Sequence, residues 1–203
     1  MNDKLRTELE ETLREIIQRY ATSFAQKQYE EENNEHDIIM DIFGISPTLK
    51  RENRQYWGRE LGMCWQLMVS ELCRFACPQF APALRFGGDE PCDFCVGKKA
   101  IDTKYRIGSG DAGTLKKFKS YGALLRAKGY TPITLIVRTD NLGAAMTALS
   151  AGNWKVYTGA KTFKYINTLT GFDLMAWLDE IKREGRFKIT RRGAHADKHN
   201  PSR

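Results

Sequence analysis

Three residues in one short stretch have the types and spacing for phosphoryl chemistry. They are Asp93, Asp102 and Lys104, inside PCDFCVGKKAIDTKYR at Pro91–Arg106. Successive side chains of a strand point to opposite faces, so Asp102 and Lys104 share one face. Ile101, Thr103, Tyr105 and Ile107 take the other, which suits a core. Gly97-Lys98-Lys99 predicts a tight turn, and folding Cys92–Val96 back as a hairpin brings Asp93 beside Asp102. Two close carboxylates repel unless a cation lies between them or one takes a proton. Mg2+ is bound through one or two carboxylates when a phosphate completes its shell. Such an ion polarises a phosphoryl oxygen and activates water. Lys104 would steer the attacking water or steady charge building on phosphorus.

The surrounding elements must position these groups. Tyr56 to Phe75 predicts a helix with a broad apolar face of Trp57, Leu61, Cys64, Trp65, Met68, Leu72 and Phe75. Glu60 and Glu71 lie on one flank of that face, about 90° from its centre at about 100° per residue. Pro78 ends the helix. Ala83 to Phe86 reads as a short strand turned by Gly87-Gly88-Asp89, and the hairpin follows. The glycine-rich loop Gly108–Gly113 leads into a helix from Thr114 to Lys128, with Lys116, Lys117 and Lys119 near its start. A glycine loop feeding a helix N-terminus offers backbone N–H groups to an anion; a plain turn with a solvated lysine face is the bland alternative. Pro132 to Val137 is a continuous apolar run, hence a strand buried on both faces. Leu142–Ala151 predicts a helix, Trp154–Tyr157 a strand, and Thr162–Leu169 and Asp173–Glu184 two more helices.

The ends differ in charge. Residues 1–50 carry 6 basic and 11 acidic residues, net −5, while the remainder carries 26 basic and 14 acidic, net +12. The basic excess thus travels with the Asp-x-Lys stretch, which suits a polyanionic partner. Leu5, Leu9, Leu13, Ile16, Ile17, Tyr20 and Phe24 predict an amphipathic helix over Lys4–Tyr29, packed on its own domain or serving in dimerisation. The segment 182–203 is a basic tail in which Phe187 and Ile189 suggest a short strand. The total of 203 residues fits a single domain with a sizeable core. No apolar run is long enough to span a membrane. The acidic N-terminal stretch without a hydrophobic signal core speaks against secretion and predicts a cytoplasmic protein. Five cysteines fit a reducing compartment. The spacing of Cys73, Cys77, Cys92 and Cys95 leaves a structural zinc knuckle open. His36, His195 and His199 sit in polar stretches and form no evident catalytic arrangement.

Asp93 followed by Asp102-x-Lys104 resembles the PD-(D/E)xK nuclease motif. The run IDTKYRIGSGDAGTLKKFKSYG is similar to type II restriction endonucleases of the ApaLI-like group. The resemblance covers roughly Trp57 to Tyr157. It implies an α/β (α+β) fold with the αβββαβ core of these nucleases, a central mixed sheet flanked by helices. Residues 1–50 would be an N-terminal helical region, 56–157 the catalytic core. It implies a Mg2+-dependent, sequence-specific double-stranded DNA endonuclease leaving 5′-phosphates. Asp93 and Asp102 would bind the metal and Lys104 assist the water. The helix before the hairpin often adds an acid in this family, for which Glu60 is the first candidate and Glu71 the second. Arg106, Ser109, Lys116, Lys117 and Lys119 would contact DNA. A homodimer is expected, since palindromic sites mirror a two-fold axis, as is a cognate DNA methyltransferase in the same system. Two rival readings stay open: a repair or junction-resolving nuclease of the same superfamily, and a noncatalytic zinc-knuckle or DNA-binding module.

Overall fold

The computed structural model describes residues 36–108 and 110–189. The expected helix at Lys4–Tyr29, Ser109 and the end of the basic tail lie outside the described residues. The first elements are short helices set by their caps. Asp37 accepts from the amides of Ile39 and Met40 to start α1 (Ile38–Phe43), and Gly44, at φ +65°, ends it. Ser46 caps α2 (Pro47–Glu52), with Pro47 in its first turn, where a missing N–H costs nothing. Asn53 caps α3 (Arg54–Ala76), which buries Leu61, Trp65, Val69 and Cys73 at i, i+4 spacing.

Three antiparallel strands follow: β1 (Phe80–Pro82), β2 (Phe94–Val96) and β3 (Lys99–Lys104). The expected strand at Ala83–Phe86 is displaced. Phe80 faces Val96 across the ladder and stacks on Phe94 with ring centroids 5.7 Å apart, so the pairing forms three residues earlier. Pro82 closes this edge strand, as a residue without an N–H does. Phe86 and Asp89 make only an isolated bridge around the two glycines.

The β2–β3 turn fixes the register of everything after it. Gly97 has φ +58° and Lys98 does not have a positive φ, the arrangement of a two-residue hairpin turn with glycine first. A Cβ on Gly97 would also meet the Gln79 side chain at 2.5 Å. Val96 is thereby paired with Lys99 and Phe94 with Ile101.

Helix α4 (Ala112–Ala127) carries the chain from β3 to the parallel strand β4 (Thr131–Ile136), and α5 (Gly143–Ala151) leads to the parallel strand β5 (Lys155–Thr158). The result is a five-stranded mixed sheet in the order β1-β2-β3-β4-β5. Helices α6 (Ala160–Thr170) and α7 (Leu174–Glu184) complete the described chain. No strand forms at Phe187–Ile189; the Ile189 amide instead donates to the Phe43 carbonyl at 2.9 Å.

Alternation along the strands divides the core. Phe94, Ile101, Ile133 and Leu135 pack with Trp65, Phe163, Ile166, Leu174 and Leu178 on the side of α3, α6 and α7. Cys95, Ala100 and Ile136 pack with Phe118, Leu125, Ala148 and Leu149 on the side of α4 and α5. α4 and α5 touch backbone to backbone: a Cβ on Gly122 would lie 2.0 Å from the Gly152 carbonyl oxygen. No described helix is long and apolar enough to cross a membrane.

Candidate active site

The ladder ends at the Phe94–Ile101 pair, and the next residue, Asp93, donates its amide to the Ile101 carbonyl at 2.9 Å, which holds it beside Asp102. The chain bends at Cys92–Asp93, and β2 ends there. The Asp93 carboxylate then takes the place of a strand carbonyl beside β3. Its Oδ2 accepts from both the backbone N–H and the hydroxyl of Thr103, each at 2.6 Å. Its Oδ1 accepts from Gln66 Nε2 at 3.0 Å.

Asp102 and Lys104 share a face, as strand alternation requires, and Lys104 Nζ lies 2.7 Å from Asp102 Oδ1. The Asp102 side chain is 14% exposed and that of Lys104 34%, so the ammonium reaches solvent at the rim of a mostly buried acid. Burial pushes the Asp102 carboxyl up to about 6; Lys104 opposes that rise and the Asp93 charge adds to it. Burial also acts against the charge on Lys104. The Asp102 and Asp93 carboxylates outweigh it and hold the Lys104 pKa above its ordinary value. The two acids and the lysine are therefore one electrostatic unit.

No family model, no curated protein and no solved structure matches this chain.

Among the described residues no three His, Cys, Asp or Glu side chains gather where they could hold a metal. What the hairpin offers is two carboxylates. Asp102 Oδ2 has no hydrogen-bond partner among the described residues, and Asp93 Oδ1 has one, leaving a lone pair. Beside Asp102, in register on β4, the buried Thr134 hydroxyl has no partner among the described residues. A polar, anionic site with two carboxylates fits a hard cation that keeps several waters and takes phosphate oxygens, which is the habit of Mg2+. It does not fit a closed all-protein cage.

Glu60 and Glu71 do not belong to this unit. Glu60 pairs with Arg59 at 2.9 Å and Glu71 with Arg74 at 2.6 Å, on the solvent side of α3. The buried residues Leu61, Trp65, Val69 and Cys73 set the inward direction of α3 about 70° from the centre of the broader apolar set read from sequence. That rotation carries Glu60 outward and brings Gln66 to the flank that meets Asp93. The signal for Gln66 in the sequence is its place next to the fully buried Trp65, on the flank of the Leu61, Trp65 and Val69 face.

The expected DNA-contacting residues separate. Lys116, Lys117 and Lys119 are exposed on α4. Arg106 is turned back, its Nε donating to the Asp140 carbonyl at 2.9 Å and carboxylate at 3.0 Å. The α4 N-terminus is already served by Asp111, whose Oδ1 accepts from the Thr114 amide at 2.7 Å, so it is not an open anion cradle. Behind the site a buried polar cluster ties β3 to β4 and α1. Arg138 donates to Asp37 at 3.0 Å and to Asp140 at 2.7 Å. The Tyr105 hydroxyl donates to Asp37 and receives Lys50 Nζ at 3.4 Å. The four cysteines do not converge. Cys73 and Cys77 lie in the core on the α3 side, Cys92 and Cys95 on the α4 side.

Proposed function

We propose that this protein is a Mg2+-dependent endonuclease of the PD-(D/E)xK type that hydrolyses phosphodiester bonds in double-stranded DNA, as type II restriction enzymes do. The observation that carries the reading is Asp93 at the end of the antiparallel β2–β3 ladder, its charge acting on Asp102, with Lys104 Nζ 2.7 Å from Asp102 Oδ1. The order helix, three antiparallel strands, helix, parallel strand over α3–β4 supports it, since that is the αβββαβ order expected of such nucleases.

Asp93 and Asp102 would hold Mg2+, which when bound supplies Lewis acidity to a phosphate oxygen. The chain's own groups do the rest. Thr103 and Gln66 hold the Asp93 carboxylate in one orientation. Lys104 stays charged beside Asp102, where it orients a water or faces the charge that builds on phosphorus. The exposed lysines of α4 contact phosphates and position the duplex without reading bases. A homodimer and a partner methyltransferase belong to the same proposal.

Digestion of a plasmid of known sequence with Mg2+, followed by sequencing of the fragment ends, tests it. Discrete fragments with 5′-phosphates at one recurring site are expected. Nicks confined to branched DNA would move the protein to the repair nucleases. Salt-sensitive binding with no Mg2+-dependent product would refute the enzymatic reading.

A further inference from the structure

The motif Cys92-Asp93-Phe94-Cys95 has no part in the proposed chemistry, yet it encloses one of the site's two acids. Cys92 and Cys95 are 2% and 1% exposed and belong to one cluster on the α4 side of the sheet. Their sulfurs are 3.9 Å apart. An extended strand would separate residues i and i+3 widely; the bend at Cys92–Asp93 is what turns the first thiol back on the second. Cys73 and Cys77 also face each other, but they lie in the α3-side core away from both acids, and the Cys77 thiol donates to the Leu169 carbonyl at 3.7 Å. Cys64 is only partly buried.

We propose that Cys92 and Cys95 are a redox-responsive dithiol that closes to a disulfide across Asp93-Phe94, and that closure releases the Asp93 carboxylate from Thr103. A disulfide needs its sulfurs about 2.05 Å apart, so the pair must close by roughly 2 Å. The backbone of Cys95 and Phe94 cannot supply that movement. Both sit in the β2 ladder, and Phe94 is fully buried, paired with Ile101 and stacked on Phe80. Cys92, at the bend, moves most, and because the Asp93 amide stays bonded to the Ile101 carbonyl at 2.9 Å, Asp93 turns about that anchor. The Asp93 carboxylate holds Thr103 through two 2.6 Å contacts, and that turn draws it off them.

The burial of both sulfurs selects a small oxidant, a hydroperoxide. The Cys92 thiolate attacks one peroxide oxygen; the O–O bond breaks, hydroxide leaves, and a sulfenic acid forms on Cys92. The Cys95 thiolate then attacks that sulfur, the S–O bond breaks, and the second hydroxide leaves. Two thiol protons convert the two hydroxides to water. The dithiol is oxidised by two electrons and the peroxide reduced by two.

The inference does not depend on what Asp93 does, and its test uses no activity. The full chain is titrated with hydrogen peroxide, its peptides are mapped by mass, and amide exchange is followed at Thr103. The Cys92–Cys95 peptide should lose two hydrogens and regain them with dithiothreitol. On closure the Thr103 amide should exchange about tenfold faster or more, as loss of one hydrogen bond to a charged group implies. Cys95→Ser should stop at a sulfenic acid on Cys92, trapped by dimedone. Free thiols at both positions after Cys64 has been oxidised would overturn the dithiol. A disulfide that leaves Thr103 exchange unchanged would overturn its coupling to Asp93.

Discussion

Asp93 and Thr103 are joined twice: one carboxylate oxygen receives both the amide and the hydroxyl of the same residue, each at 2.6 Å. The pair closes the open end of β2 with a side chain where a backbone would otherwise stand. Thr103→Val keeps the β-branched shape and removes only the hydroxyl. It should destabilise the fold by about 1.5–3 kcal/mol, the range for a buried hydrogen bond to a charged group, read as a lower urea midpoint.

Gln66, not Glu60, is the α3 side chain that meets Asp93. Gln66→Ala frees Asp93 Oδ1 and should lower Mg2+-dependent cleavage by about 10- to 100-fold, as loss of an orienting contact behind a metal ligand does. Glu60→Ala removes an exposed pair with Arg59 and should leave cleavage and stability at wild-type levels. Parallel single-turnover assays of the two variants decide between the helix faces.

Asp102 weakens the fold at neutral pH. Its carboxyl is raised from 3.8 to about 6, so the native state binds the extra proton between those values. Stability tied to this group is complete below pH 4 and is lost as pH rises through 6. Asp102→Asn resembles the protonated acid. It should therefore be more stable than wild type at pH 8, by up to about 3 kcal/mol, with the difference vanishing near pH 4. Thermal melts across that range test the sign.

Gly122 is required by the contact between α4 and α5. Gly122→Ala would put a Cβ against backbone, not a movable side chain, at the Gly152 carbonyl. It should cost about 1–3 kcal/mol or more despite alanine's higher helix propensity. Denaturant titration measures it.

Much of the hairpin was readable from residues alone, because a two-residue turn at Gly97-Lys98 fixes which residues face each other. Once Val96 meets Lys99, Asp93 falls at the end of the ladder, beside Asp102. The αβββαβ order was readable for the same local reasons: Asn53 and Asp111 cap α3 and α4, and the apolar run of β4 is buried. Helix phase was not. Trp57, Cys64, Met68 and Leu72 are only partly buried, and a count of apolar residues weights them equally with Leu61 and Trp65. That error placed Glu60 near the site and hid Gln66. Arg106 misled in another way, since a basic residue beside the site reads as a phosphate ligand until Asp140, 34 residues on, is brought beside it.

The central claim is that Asp102 and Lys104 act on a phosphodiester. Single-turnover cleavage of one plasmid by wild type, Asp102→Ala and Lys104→Ala, at matched DNA occupancy and saturating Mg2+, measures it most directly. Both variants should bind DNA with affinity close to wild type and cut at least about 100-fold more slowly. Cleavage by either variant at the wild-type rate would contradict the account.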